Sequence, residues 1–134
     1  MNRGEFQQLA QLRVVEGQAL LLVNQPAGAY YLLGYSVECA LKACIAKQTN
    51  QYDFPDKKTV NDSYTHDLEK LLALSGLKLH QPTNSKFKVN WALVKDWTEE
   101  ARYDAGITIA QAQELNDAII DPTEGVLTWL MKLW

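Results

Sequence analysis

The chain has 134 residues, 47% hydrophobic and 22% charged, a composition that folds and a length that encloses one core but not two. Thirteen Lys and Arg against sixteen Asp and Glu give a formal charge of -3, which excludes a general positive field for nucleic acid or anionic membrane; RNA would need a local basic patch. The opening from Met1 to Arg13 is too polar for a secretory signal and no apolar run approaches the roughly 20 residues that span a bilayer, so the expected location is the cytoplasm.

A first helix is expected from about Glu5 to Asn24, with Phe6, Leu9, Leu12, Ala19, Leu20 and Val23 on its apolar face. Pro26 restarts the chain as a helix, because its preset φ and missing N–H suit a first turn. The second helix, Pro26 to Lys47, carries only Glu38, Lys42 and Lys47 as charges and is expected to be the central, most buried element. Cys39 and Cys44 lie five apart on it, pointing in different directions, and read as buried free thiols.

Gln48 to Ser63, with Pro55 and no periodicity, reads as a long surface loop. Thr65 is the expected N-cap of a helix built on Leu68, Leu71, Leu72 and Leu74 and ended by Gly76. A fourth helix is expected from Ser85 to Tyr103, with Trp97 extending its apolar surface, stopped by Gly106. Thr108 caps a fifth, kinked or restarted at Pro122, in which Ala112, Leu115, Ile119, Val126, Leu130 and Leu133 keep one phase. The expectation is one all-α domain over residues 1–134, an antiparallel up-and-down bundle of about five helices.

The stretch from Ala29 to Ala43, with Val37, Glu38, Leu41, Lys42 and Ala43 at its heart, resembles the central helix of the HEPN domain family. His66, Asp67 and Leu68 look like that family's His-Asp-Leu helix, and Ala101 to Asp104 is similar to its Arg-Tyr-Pro-Asp turn with the proline missing. The segment from Asp121 to Trp134 looks like one subgroup's closing helix, so the likeness covers nearly the whole chain. It implies a helical bundle that commonly dimerises, in a family that includes ribonuclease toxins, partners of small nucleotidyltransferase-like antitoxins, and binding domains without catalysis.

The ribonuclease branch uses Arg, four to six residues, then His, to hold a phosphate and move the 2′-hydroxyl proton. Arg3, Arg13 and Arg102 have no His at that spacing. Only His66 and His80 remain for imidazole chemistry; His66, beside Asp67, is the better candidate, against the plainer expectation that its ring serves a neighbour. Tyr31, Tyr35, Glu38 and Lys42 share one stripe of the second helix, either an ordinary edge ion pair with flanking tyrosines or a seam where hydroxyls and Lys42 meet a ligand phosphate.

Arg102, Tyr103 and Asp104 close the fourth helix, where Asp104 can fold onto Arg102, or Arg102 can reach Glu38 or a phosphate. Trp91, Trp97, Trp129 and Trp134 stand at helical spacing among Leu and Val and read as core or dimer contacts before RNA-stacking platforms. No sequence pattern for a P-loop, zinc ligation or a serine nucleophile is present, so no metal or cofactor is expected. Three functions follow in order: a non-catalytic HEPN-like module, a homodimer by that resemblance, with a nucleotidyltransferase-like protein partner or a nucleotide or RNA ligand; a metal-independent ribonuclease with a degenerate site around Arg102 and His66; and a structural helper with no ligand.

Overall fold

A computed structural model describes residues 1–49 and 56–134. The described residues form seven α-helices and two short 3-10 segments, one of the helices central to the others, and no strand. The all-helical expectation stands. The count rises above five because the last expected helix restarts as a separate one and a short one forms inside the expected loop.

Helix α1, Arg3–Leu22, opens with a reciprocal cap: the Asn2 side chain accepts the Glu5 N–H at 2.9 Å while the Glu5 carboxylate accepts the Asn2 N–H at 2.7 Å. Its core face is Ala10, Val14, Gly17 and Leu21, with Leu9 and Leu20 beside them. Leu12, Ala19 and Val23, expected on that face, are exposed. Close helix approach explains the difference: a Cβ at Gly17 would lie 2.7 Å from Leu33 Cγ, so small residues must face the neighbour.

Asn24, at φ 58°, reverses the chain into α2, Pro26–Lys47. Twelve of its residues are buried, and α1 and three later helices all rest on it, as its nearly apolar circumference predicts. Cys39 and Cys44 are buried free thiols; burial pushes them up to about 12 and about 11.

The sequence between Gln48 and Ser63 is not loop throughout. Asp56 accepts the Thr59 N–H at 3.1 Å and starts α3, Lys57–Asp62, which the i,i+4 pair Lys58–Asp62 supports; residues 50–55 of that segment lie outside the described residues. The cap of α4, Leu68–Leu74, is Asp67 and not Thr65: Asp67 takes the Lys70 N–H at 3.1 Å, while the Thr65 hydroxyl takes the Asp67 N–H. Gly76 follows at φ 75°, the left-handed residue that stops the helix as expected.

The expected helix from Ser85 to Tyr103 is two pieces, α5, Ser85–Lys95, and a 3-10 segment, Glu99–Tyr103. The break swings Trp97 into the core, where it is fully buried instead of merely extending an apolar surface. Thr108 caps α6, Ile109–Ile120, through a reciprocal box with Gln111. After Pro122 the helix restarts as α7, Val126–Met131, and its Val126 and Leu130 stay in the core. The core is one connected cluster reaching from Ala10 to Leu130.

Candidate functional site

Glu38 is 1% exposed, on an otherwise apolar stretch of α2. A carboxylate so placed must be paired or neutralised, because burial disfavours its charge. One oxygen, Oε1, does the pairing: Lys42 Nζ donates to it at 3.0 Å from one turn along the helix, and His66 Nδ1 donates to it at 2.8 Å from the segment entering α4. The ion pair expected at a bundle edge is therefore a buried acid holding two bases.

His66 does not pair with Asp67, whose carboxylate caps α4. A carboxylate can only accept, so the imidazole proton sits on Nδ1, and in the neutral ring Nε2 is left as an acceptor on a side chain that is 43% exposed. Glu38 Oε2 has no hydrogen-bond partner among the described residues. The same is true of Trp97 Nε1, whose indole rests against Gly34, one turn before Glu38.

The rest of the stripe continues outward. Tyr35 and Tyr31 are half-buried, 6.0 Å apart between ring centres, and Tyr31 stacks on Trp97 at 6.1 Å. Burial raises the Tyr35 phenol first, followed by the neighbouring Cys39 and Glu38, while Arg13 lowers it from 5.9 Å over the ring. At the far end Arg102 is exposed, its guanidinium 4.8 Å from the Tyr103 ring, and is held still more firmly charged by the Tyr103 phenol and then by Tyr31.

Six of the seven expected ligand-binding residues and His66 thus come together, in the order Tyr103, Arg102, Tyr31, Tyr35, Glu38 with His66, and Lys42. Asp104 does not join them. It accepts the Gly106 N–H at 2.8 Å and, with Asp96, raises the Tyr30 phenol, whose own burial is the larger cause. Asp104 forms no ion pair with Arg102, because its carboxylate closes the turn that follows the 3-10 segment. Arg102 faces Tyr31, not Glu38. Sequence reasoning missed Arg13 and the floor made by Trp97; Arg13 stands on the core side of α1, three residues before Glu16, with which it pairs.

His80 lies exposed in the 3-10 segment Lys78–His80. No group of three His, Cys, Asp or Glu residues suited to a metal occurs among the described residues. No helix there is long and apolar enough to cross a membrane. The chain matches no protein-family model, no curated protein and no solved structure.

The strip offers two kinds of chemistry. Lys42 spends one ammonium donor on Glu38 and has others for an anion, and Arg102 supplies a planar guanidinium for phosphate. His66, fixed through Nδ1 by a buried carboxylate, presents Nε2 as a proton acceptor, the relation that orients a general base in a catalytic dyad.

Proposed function

We propose that the chain is a HEPN-like helical binding module whose ligand surface is the polar strip of α2, and whose ligand carries phosphate, as a nucleotide or a nucleic-acid strand. The observation that carries this reading is Glu38. A buried acid with one oxygen unpartnered is a costly way to build a core, and its effect is to fix a lysine and a histidine in line with Tyr35, Tyr31 and Arg102. The sequence resemblance adds homodimerisation and a nucleotidyltransferase-like protein partner to the proposal.

A second reading is favoured by one bond. The Glu38–His66 pair would let Nε2 take the proton of a 2′-hydroxyl, whose oxygen attacks the adjacent phosphorus as the 5′-oxygen leaves and takes a proton from water, the extra negative charge of the transition state facing Lys42. That would be a metal-independent ribonuclease without the Arg-to-His spacing of the toxins.

Labelled single-stranded and structured RNA, incubated with the pure protein and with Arg102→Ala and His66→Ala, separates the two, with mass measured on the same samples. Retained RNA without cleavage, weakened in Arg102→Ala, supports the module. Cleavage that disappears in folded His66→Ala establishes the enzyme. RNA neither bound nor cut sinks the enzyme and leaves the strip only a free nucleotide, whose failure to bind in a titration sinks the module as well.

A further inference from the structure

A second concavity, of about 850 Å³, lies where the first turn of α1 meets the last turns of α2, with α3 along its third side. Its volume falls within the roughly 300 to 1,000 Å³ of small-molecule sites. Phe6, Ile45 and Val60 give it an apolar floor, and Tyr64 an aromatic rim. Arg3, Lys42 and Lys47 line it, and no Asp or Glu does among the described residues. In a chain whose acids outnumber its cations sixteen to thirteen, this is a local inversion of sign.

Lys42 is paired with Glu38, but Arg3 and Lys47 have no acidic side-chain partner among the described residues. Arg3 Nη2 donates to the main-chain oxygen of Trp134 at 2.6 Å and Lys47 Nζ to the Leu133 carbonyl at 3.0 Å, so both heads meet at one place while each keeps donors in hand. Their positive field reaches the buried Cys44 thiol, which both of them pull back down against its burial. The acids of α3 are engaged elsewhere: Asp56 caps the helix through Thr59 and Asp62 pairs with Lys58. A concave site with an apolar floor and two convergent cations suits an anion that carries an apolar body.

We propose that this groove binds an organic phosphomonoester of mononucleotide size, its phosphate at Arg3 and Lys47 and its body over Phe6, Ile45 and Val60. The site stands apart from the α2 strip. Only Lys42 belongs to both, and nothing in the inference depends on RNA binding.

Calorimetric titration of the full chain with adenosine 5′-monophosphate, adenosine and inorganic phosphate tests it. In Arg102→Ala, which weakens the strip, the monophosphate still binds one per chain at the groove and weakens as salt rises, and adenosine and phosphate alone each bind about tenfold more weakly or worse. Arg3→Gln with Lys47→Gln lowers affinity for the monophosphate by about tenfold, whereas Lys88→Gln, on α5, which does not line the groove, leaves it unchanged. Should the double variant lose its helical circular dichroism, Lys47→Gln alone carries the comparison. Adenosine binding as tightly as its monophosphate, unchanged affinity in the groove variant, or no binding of the monophosphate overturns the proposal. Loss of binding in Arg102→Ala but not in the groove variants would place the ligand on the α2 strip and equally overturn it.

Discussion

The indole of Trp97 occupies the space that a side chain at position 34 would need: a Cβ built on Gly34 would lie 2.2 Å from both Cδ1 and Nε1. Tyr31 stacks against the same indole, so the contact that closes the core also supports the aromatic part of the polar strip. Gly34→Ala is expected to push Trp97 out of register and to destabilise the fold by about 1 to 3 kcal/mol, the usual range for overpacking. Because Arg102 follows Trp97 by only five residues, the same variant should weaken RNA binding beyond what its lost stability explains. Denaturant unfolding with a wild-type midpoint would show that the indole has room to move.

Glu38 separates function from stability. An acid kept for its ligand surface and not for the core should be replaceable by an apolar side chain of similar volume, since swapping out a buried ion pair is often neutral or stabilising. Glu38→Leu with Lys42→Met, which removes both charges of the pair, is therefore expected to unfold at a denaturant concentration equal to or above that of the wild type. It should lose RNA binding at the strip at the same time, because the strip loses its ammonium and His66 loses the oxygen that fixes it. A variant that binds RNA normally would mean that the strip does not depend on the buried acid.

Where the fold was legible in the sequence, one residue's local chemistry sufficed. Pro26, Gly76 and Thr108 each mark a helix boundary by backbone geometry or a cap, and the nearly uncharged circumference of α2 announces the central helix. The errors arose where two elements decide together. Leu12 and Val23 look like core until Gly17 and Leu33 show how closely α1 crosses α2, and small residues outrank large ones at such a crossing. The stripe of Tyr31, Tyr35, Glu38 and Lys42 follows from helical spacing alone. That His66 completes it depends on the path from α3 into α4, which spans 28 residues from Glu38 and leaves no periodic trace.

Acid should erode the stability that Asp121 lends the turn between α6 and α7. Asp121 is held well below the usual carboxylate range, chiefly by Lys86 at 2.8 Å, then by the backbone N–H groups of Glu124 and Thr123. The folded chain gives up this proton more readily than the unfolded one, so the stabilisation is complete above the ordinary carboxylate pKa, about 3.9, and is lost as pH falls below it. Asp121→Asn should lower the melting temperature at neutral pH and flatten the loss of stability between about pH 5 and pH 2. Parallel melting curves for the two proteins across that range would remove Asp121 from the acid response.

The proposed homodimer has a place to form. Leu12, Val15, Ala19 and Leu22 are all exposed and recur at intervals of three and four on the side of α1 turned away from α2, the spacing of a helix-pairing seam. The row is symmetric about position 17: laid antiparallel on a second copy, Leu12 meets Leu22 and Val15 meets Ala19, as an isologous two-fold contact requires. That arrangement sets Glu16 beside Gln18 and Gln11 beside Val23, so no like charges are opposed. Val15→Glu with Leu22→Lys places charges on this face and none in the core. Light scattering on the wild type should give twice the mass of the chain, and the double variant should give a single chain with unchanged helical content. A monomeric wild type ends the dimer proposal, and a variant that stays dimeric moves the interface off α1.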